Sequence, residues 1–292
     1  MTLRLVAFGL AALSATMAVA GEEAVTVERA DKRIAGILNR PDGIENPPIV
    51  LMLHGFTGSK NEFTVAGTET GLFTLMAEEL AKAGIASLRI DFAGSGESSG
   101  TWEQTTFSGQ IADAVDAFDY LQIMPGVDAH RIGILGYSQG GLVGAHLAAA
   151  RPETRAAVLW APVANPMATY ATIMGKEKVA EGLAAASDQP VTASLSWGGE
   201  TTLNGAFFHE LPEASAAGAL ASYSGPLRVI AGRNETIVAP QPYPAQQLLR
   251  YHTGIEDLVL LDSDHDFGAG TSDALVRAEL APQTVEWFRD NL

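Results

Sequence analysis

The chain has 292 residues, enough for one large α/β domain with an insertion or for two small domains. An apolar fraction of 47% is typical of a protein with a packed core and argues against disorder. The formal net charge of −16 argues against nucleic acid or an anionic membrane surface as a partner, and the lack of cysteine excludes thiol nucleophiles and cysteine-ligated zinc.

The first 20 residues have the pattern of a secretory signal peptide. Arg4 supplies a short basic region, an apolar run follows, and residues 18–20 (Ala-Val-Ala) match a cleavage site of small residues. The apolar run is short for a membrane span. We therefore expect cleavage near Ala20 and a secreted or periplasmic mature chain, residues 21–292, without a membrane span. An uncleaved N-terminal anchor is the alternative.

Strand and helix patterns alternate along most of the remaining chain. The predicted strands lie at residues 25–28, 34–38, 49–53, 85–90, 131–135, 156–160, 227–231 and 258–261. The predicted helices lie at about residues 70–83, 105–122, 142–150 and 244–251, with a last helix that ends at residue 292. Ala30 and Asp31 fit a hairpin turn between the first two strands. Continuous apolar strands alternating with helices predict an α/β fold with a mostly parallel, doubly wound sheet.

This alternation breaks between about residues 162 and 222. The segment is rich in alanine, and a hairpin with a turn at Gly198 and Gly199 is predicted within it. It also contains three aromatic residues, Trp197, Phe207 and Phe208. We interpret it as a small lid inserted into one domain that spans residues 21–292.

The clearest chemical motif is the Gly-x-Ser-x-Gly of residues 136–140. A strand pattern precedes it and an alanine-rich helical run follows it, so Ser138 is predicted on a sharp strand-to-helix turn. The strained backbone of such a turn requires neighbours without side chains, which Gly136 and Gly140 provide. Because a serine hydroxyl is a weak nucleophile at neutral pH, Ser138 needs a base and a group that orients this base.

Suitable partners follow two later strands. Glu235 is the only carboxylate in the turn after strand 227–231, and His265 follows the last strand. The order serine, acid, histidine is the one expected for a nucleophile on this type of turn. Three aspartates surround His265, but closely spaced carboxylates are more typical of a solvated loop than of a metal site, so we expect neither a metal nor a cofactor (Asp262, Asp264, Asp266).

An oxyanion hole is predicted in the loop after strand 49–53. The loop, residues 54–58, reads His-Gly-Phe-Thr-Gly, and its glycines allow a close backbone approach. The backbone N–H groups of Phe56 and Gln139 are the predicted donors to the negative charge that develops on a carbonyl oxygen. We expect His54 to brace this loop rather than to act as the base.

These motifs resemble the α/β-hydrolases, and more closely the bacterial feruloyl (cinnamoyl) esterases. The resemblance rests on HGFTGSKNEF (54–63), IASLRIDFAGSGESSG (85–100), GYSQGG (136–141), LWAPVA (159–164) and Asp264-His265-x-Phe267. It implies an α/β-hydrolase fold and a serine carboxylic-ester hydrolase that forms an acyl-enzyme on a small ester, with hydroxycinnamoyl esters as candidates. It also implies that the aromatic residues of the insertion form an acyl pocket.

Two departures from that family stand in the motifs. Tyr137 precedes the serine where the family more often has histidine, and Glu235 stands where it usually has aspartate. A serine peptidase, a thioesterase and a non-catalytic binding protein on the same fold are the alternatives. No oligomeric state is assigned from the sequence.

Overall fold

The computed structural model describes residues 21–29 and 32–292, and a large sheet lies at its centre. The predicted signal peptide and the hairpin turn at Ala30 and Asp31 lie outside the described residues. Ten strands occur in the described ranges. From β1 to β10 they are Glu22–Arg29, Lys32–Asn39, Ile49–Leu53, Ala86–Ile90, Ile132–Tyr137, Ala156–Trp160, Pro190–Ser194, Glu200–Asn204, Leu227–Gly232 and Glu256–Leu261.

Eight of these strands form one sheet in the order β1-β2-β4-β3-β5-β6-β9-β10. The pairs β1/β2 and β2/β4 are antiparallel, and all the others are parallel. The remaining strands, β7 and β8, form a separate antiparallel hairpin. The predicted mostly parallel sheet is confirmed, and its parallel arrangement brings the carboxyl ends of β3, β5, β9 and β10 to one edge.

Helices cover both faces of the sheet. From α1 to α9 they are Leu72–Lys82, Phe107–Ile123, Gln139–Ala150, Pro166–Met174, Lys176–Ala184, Gly205–Glu210, Ala216–Leu220, Tyr243–Leu249 and Ala281–Asn291. Alternate residues of a buried strand point to opposite faces. In β3, Val50 and Met52 pack in the layer of α1 and α9, whereas Leu51 and Leu53 pack in the layer of α2 and α3. Both faces therefore require apolar residues, which explains the uninterrupted apolar runs.

Local signals set the ends of the helices that follow the central strands. The Thr106 hydroxyl accepts a hydrogen bond from the Gly109 N–H (3.0 Å) and caps α2. Gly84, with φ of 81°, ends α1 in the left-handed conformation that glycine adopts most readily. None of the helices in the part of the chain described here is long and apolar enough to cross a membrane.

The segment between β6 and β9 holds α4 to α7 and the β7-β8 hairpin. Gly198 and Gly199 lie in the turn of this hairpin, as the sequence predicts, and both have positive φ values. The predicted insertion, about residues 162–222, includes α7 near its end. The short helix α7 packs against α3 and α8 and completes the layer that covers the sheet. This end of the segment therefore lies in the helical layer beside α3 and α8.

Candidate active site

Ser138 lies between β5 and α3 with φ of 53° and ψ of −114°, a strained conformation for a residue with a side chain. A Cβ atom at Gly136 would lie 2.3 Å from the Gly140 carbonyl oxygen, and one at Gly140 would lie 2.0 Å from the Leu53 carbonyl oxygen. Both contacts are with backbone, which has little freedom to move. Glycine is required at both positions because the first turn of α3 lies against the end of β5 at Gly136 and against the end of β3 at Gly140.

The structure brings the three predicted residues Ser138, Glu235 and His265 together. His265 Nε2 lies 3.1 Å from Ser138 Oγ, and His265 Nδ1 lies 2.7 Å from Glu235 Oε2. Each residue follows the carboxyl end of a different strand, β5, β9 or β10. This geometry allows the imidazole to take a proton from the hydroxyl while its other nitrogen donates to the carboxylate.

The surroundings of Glu235 favour its ionised form. The side chain is buried, which by itself raises the pKa of a carboxyl group. The hydrogen bond and charge of His265 and the N–H groups of Ile237 and Val238 outweigh burial, so that the pKa of Glu235 lies below its usual value. Glu235 Oε1 accepts from these two N–H groups at 2.8 and 3.0 Å, while Oε2 faces His265. The glutamate therefore reaches the imidazole and stays anchored to its own turn.

The two predicted oxyanion donors lie at the ends of neighbouring strands. Gln139 is the first residue of α3, where backbone N–H groups have no partner within the helix. Its side chain is fixed because Nε2 donates to Gln110 Oε1 (2.6 Å) and Oε1 accepts from the Tyr170 hydroxyl. Phe56 lies in the loop after β3, and its ring packs against the Trp102 and Tyr170 rings. Both backbone positions are thus held by packed side chains.

His54 braces the loop, as expected. Its Nε2 accepts from the Phe92 N–H (3.1 Å), so Nδ1 carries the proton and donates to the Gly55 carbonyl oxygen (2.8 Å). Burial is the largest influence on this ring and lowers its pKa to about 4. His54 is therefore neutral at physiological pH and supports the turn that contains Phe56.

The aspartates around His265 have separate partners. Asp262 accepts from Asn234 Nδ2 (3.0 Å), Asp264 from the Gly268 N–H (2.9 Å), and Asp266 from the Tyr137 hydroxyl (2.9 Å). Within residues 21–29 and 32–292, no group of three or more histidine, aspartate or glutamate side chains is arranged to hold a metal ion.

Ser138 and His265 open into a cavity of about 710 Å³. This volume is in the range of small-molecule sites. Apolar and aromatic side chains form much of its wall: Phe56, Phe63, Tyr137, Ile173, Trp197 and Ile237. Ile173 comes from α4 and Trp197 from the β7-β8 turn, so the insertion contributes to the cavity.

Three residues of the insertion are predicted to contact the substrate, and one of them lies at the cavity. Trp197 lines it and is 51% exposed, but Phe207 and Phe208 are fully buried and do not line it. Phe207 stacks on Phe107 with ring centroids 5.0 Å apart, while Phe208 packs against Gly182. Phe207 therefore attaches the insertion to α2, whereas Phe208 packs within the insertion. Of the three residues predicted as substrate contacts, the structure thus places only Trp197 at the cavity.

Sequence reasoning did not single out Glu62, Ile173 or Thr236, which also line the cavity. Glu62 follows the Phe56 loop, and Thr236 follows Glu235. Ile173 belongs to an apolar pattern that any packed helix shows, so the sequence does not distinguish it from an ordinary core residue. Thr236 could have been found from its position beside the predicted acid.

Comparisons with known proteins agree with this architecture. A family model described as "alpha/beta hydrolase fold" matches residues 48–196. A protein of Escherichia coli, described as an uncharacterized 31.7 kDa protein in the traX-finO intergenic region, is 27% identical over 129 residues. The match covers 44% of this chain and 41% of that protein, so the chain spans about two fifths of the length of this curated relative.

Solved structures match over nearly the whole chain. DcsB in complex with its substrate analogue gives a TM-score of 0.75 at 18% identity, covering 93% of this chain and 99% of that one. Est1E from Butyrivibrio proteoclasticus with bound ferulic acid gives 0.65 at 19% identity, covering 91% and 96%. At these identities, the likeness shows a shared fold.

The close approach at the Ser138 turn predicts a large difference between two glycines of α3. Gly140→Ala should lower the free energy of unfolding by about 3 kcal/mol or more because the new Cβ would overlap backbone. Gly144→Ala is the matched control. Its Cβ would meet the side chains of Ile134 and Leu159 at 3.2 and 3.3 Å, which can adjust. We expect it to change stability by at most about 1 kcal/mol. Urea unfolding measures both, and equal stabilities would contradict the close approach.

Proposed function

The chain belongs to the α/β-hydrolase fold family, and from this premise we propose that it is a serine hydrolase of carboxylic esters that works through an acyl-enzyme. One observation carries the proposal. A continuous hydrogen-bonded series runs from Ser138 through His265 to the buried carboxyl of Glu235, and it begins at the wall of a cavity of small-molecule size.

In the first half-reaction, Ser138 Oγ attacks the ester carbonyl carbon while His265 Nε2 takes the hydroxyl proton. His265 Nδ1 donates to Glu235, whose negative charge stabilises the imidazolium that forms. The backbone N–H groups of Phe56 and Gln139 hold the oxyanion of the tetrahedral intermediate. The ester C–O bond then breaks, and the alcohol leaves with the proton from His265.

The second half-reaction removes the acyl group from Ser138. A water molecule attacks the acyl carbon and gives a proton to His265. The bond between the carbon and Ser138 Oγ breaks, and Oγ recovers the proton from His265. The products are a carboxylic acid and the free enzyme.

The cavity supports esters of modest size as substrates, and we extend the proposal to hydroxycinnamoyl esters. The aromatic wall, including Phe56, Phe63 and Trp197, offers flat surfaces for an aromatic acyl group. Ferulic acid is bound to the structurally similar Est1E. The proposed nucleophile and oxyanion donors act on the ester carbonyl whatever the acyl group is. The preference for hydroxycinnamoyl esters is therefore a separate proposal from the reaction mechanism.

Replacement of Ser138 tests the nucleophile. Ser138→Ala should lower kcat on a p-nitrophenyl ester by about 10⁴-fold or more and abolish labelling by a fluorophosphonate probe. Ser263→Ala is the control, since it removes a buried hydroxyl two residues from His265 and outside the cavity. Ser263→Ala should keep both ester hydrolysis and labelling by the fluorophosphonate. If Ser138→Ala hydrolysed the ester at the wild-type rate, Ser138 would not be the nucleophile.

Matched substrates test the reaction class. We expect kcat/KM to be highest for an ester among an ester, a thioester and an amide of one acyl group, and methyl ferulate to be hydrolysed alongside acetyl, butyryl and octanoyl esters. Faster turnover of the amide or thioester would favour the peptidase or thioesterase alternative. A wild-type protein that neither turns over any of them nor reacts with the fluorophosphonate would be a binding protein.

We also propose that the chain is exported, with residues 1–20 as a cleaved signal peptide. When the full sequence is expressed in a bacterium, the protein in the periplasm or medium should have its N-terminus near Gly21. Intact-mass measurement detects this cleavage, and a chain that lacks residues 2–20 should stay in the cytoplasm. Retention of residues 1–20 in the mature protein would instead indicate an N-terminal anchor.

A further inference from the structure

Glu62 is a carboxyl group in the cavity wall that the proposed reaction does not use. Its backbone has φ of 57°, a conformation that residues with side chains rarely adopt, and its N–H donates to the Ser59 carbonyl oxygen (2.8 Å). In this conformation the side chain lies against the preceding loop, where Oε1 accepts a hydrogen bond from the Gly55 N–H. A strained residue at a site is a reason to look for a functional role.

The loop that Glu62 contacts is the tight turn of residues 55–58. The Gly58 N–H donates to the Gly55 carbonyl oxygen (3.1 Å), and Thr57 has φ of 60°, which a type II turn requires at its third residue. A Cβ at Gly58 would lie 2.9 and 3.0 Å from the two carboxyl oxygens of Glu62. The Glu62 carboxyl group therefore packs against both ends of the turn, at Gly55 and Gly58.

Phe56 occupies the second position of this turn. Glu62 holds the N–H of the residue before it, while His54 and the Gly58 N–H hold the carbonyl oxygen of that same residue. The Gly55 carbonyl belongs to the peptide group that carries the Phe56 N–H, and the Gly55 N–H belongs to the peptide group before it. The contacts of His54, Gly58 and Glu62 therefore hold the two consecutive peptide groups that lead into Phe56.

We propose that Glu62 is a positioning residue for ester hydrolysis, whose carboxyl group holds the turn of residues 55–58 so that the Phe56 N–H points at the developing oxyanion. The inference rests on the proposed function, because it requires that this turn supplies an oxyanion donor. In this proposal Glu62 acts by holding the turn and does not itself hydrogen-bond to the substrate.

The charge state of Glu62 matters for this role. Burial is the largest influence and, with the charge of Asp266, raises the pKa of Glu62 to about 8, against the opposing hydrogen bond from Gly55. Lys60, on the same loop, is directed away and pairs with Asp91 and Glu97 at 2.7 Å. Glu62 is therefore mostly neutral at pH 7, and it still accepts from the Gly55 N–H.

The other titratable groups at this wall are Tyr137, from the end of β5, and Asp264, His265 and Asp266, which follow β10. Burial raises the pKa of Tyr137 well above its usual value, so its hydroxyl stays protonated and continues to donate to Asp266. Above about pH 8, ionised Glu62 would add a negative charge close to the oxyanion and oppose its formation. The neutral carboxyl is thus the form that supports the reaction.

The test compares wild type, Glu62→Ala and Glu62→Gln on a p-nitrophenyl ester between about pH 6 and 10. Glu62→Ala removes the acceptor, and we expect kcat at pH 7 to fall about tenfold to hundredfold while KM changes little. Glu62→Gln keeps a neutral acceptor for Gly55, so it should restore kcat at pH 7. The wild-type kcat should decline above about pH 8, and this decline should be absent in Glu62→Gln.

Asp262→Asn is the matched control, because it neutralises a carboxyl outside the cavity and should keep the wild-type pH profile. Thermal unfolding checks that each variant is folded, and Glu62→Gln remains informative if Glu62→Ala is not. Wild-type kcat in folded Glu62→Ala, equal losses in both variants, or an alkaline decline shared by wild type and Glu62→Gln would overturn the inference. A wild type without ester turnover or fluorophosphonate labelling would instead refute the proposed function.

Discussion

The first turn of α3 lies against the carboxyl end of β3, and the geometry of the whole site depends on this backbone contact. Gly140 meets the carbonyl oxygens of Leu53 and His54 so closely that no side chain would fit between them. The Ser138 N–H also donates to the Trp160 carbonyl oxygen of β6 (2.8 Å). Ser138 and the loop that carries Phe56 are therefore fixed to each other by backbone atoms. Donors held in this way need little rearrangement when charge develops on a substrate.

The parallel sheet accounts for how distant residues reach this contact. Ser138 and His265 are 127 positions apart in the sequence, and Glu235 and His265 are 30 apart. Because β5, β6, β9 and β10 are consecutive in the sheet and run in the same direction, the segments that follow them emerge at one edge. The long insertion between β6 and β9 leaves the sheet at that same edge, which places Ile173 and Trp197 over the cavity.

Much of this arrangement is predictable from local sequence, because each catalytic candidate directly follows a strand with a strong apolar pattern. Ser138 also has glycines that its turn requires, and Glu235 has no competing carboxylate in its turn. The sequence alone does not tell whether Phe207 and Phe208 line a cavity or a core, because both environments use the same aromatic residues and only the direction of α6 decides between them. Glu62 was missed because its position depends on a left-handed backbone at a residue other than glycine, which the sequence does not signal.

Two carboxyl groups at this site differ in charge because their neighbours differ. Both are desolvated, which raises a carboxyl pKa. Glu235 receives two backbone N–H groups and the imidazole of His265, which together lower its pKa below the usual value. Burial is the largest influence on Glu62, and together with the charge of Asp266 it raises the pKa to about 8 despite the hydrogen bond from the Gly55 N–H. In the proposed reaction, an ionised carboxylate suits Glu235, which stabilises an imidazolium, whereas a neutral carboxyl suits Glu62, which holds the turn of the oxyanion donor. Opposite shifts in one site are a common way for proteins to give two carboxyls different roles. Here both carboxyls accept backbone N–H groups, and the difference in neighbouring charge is the imidazole of His265 beside Glu235 and the carboxyl of Asp266 beside Glu62.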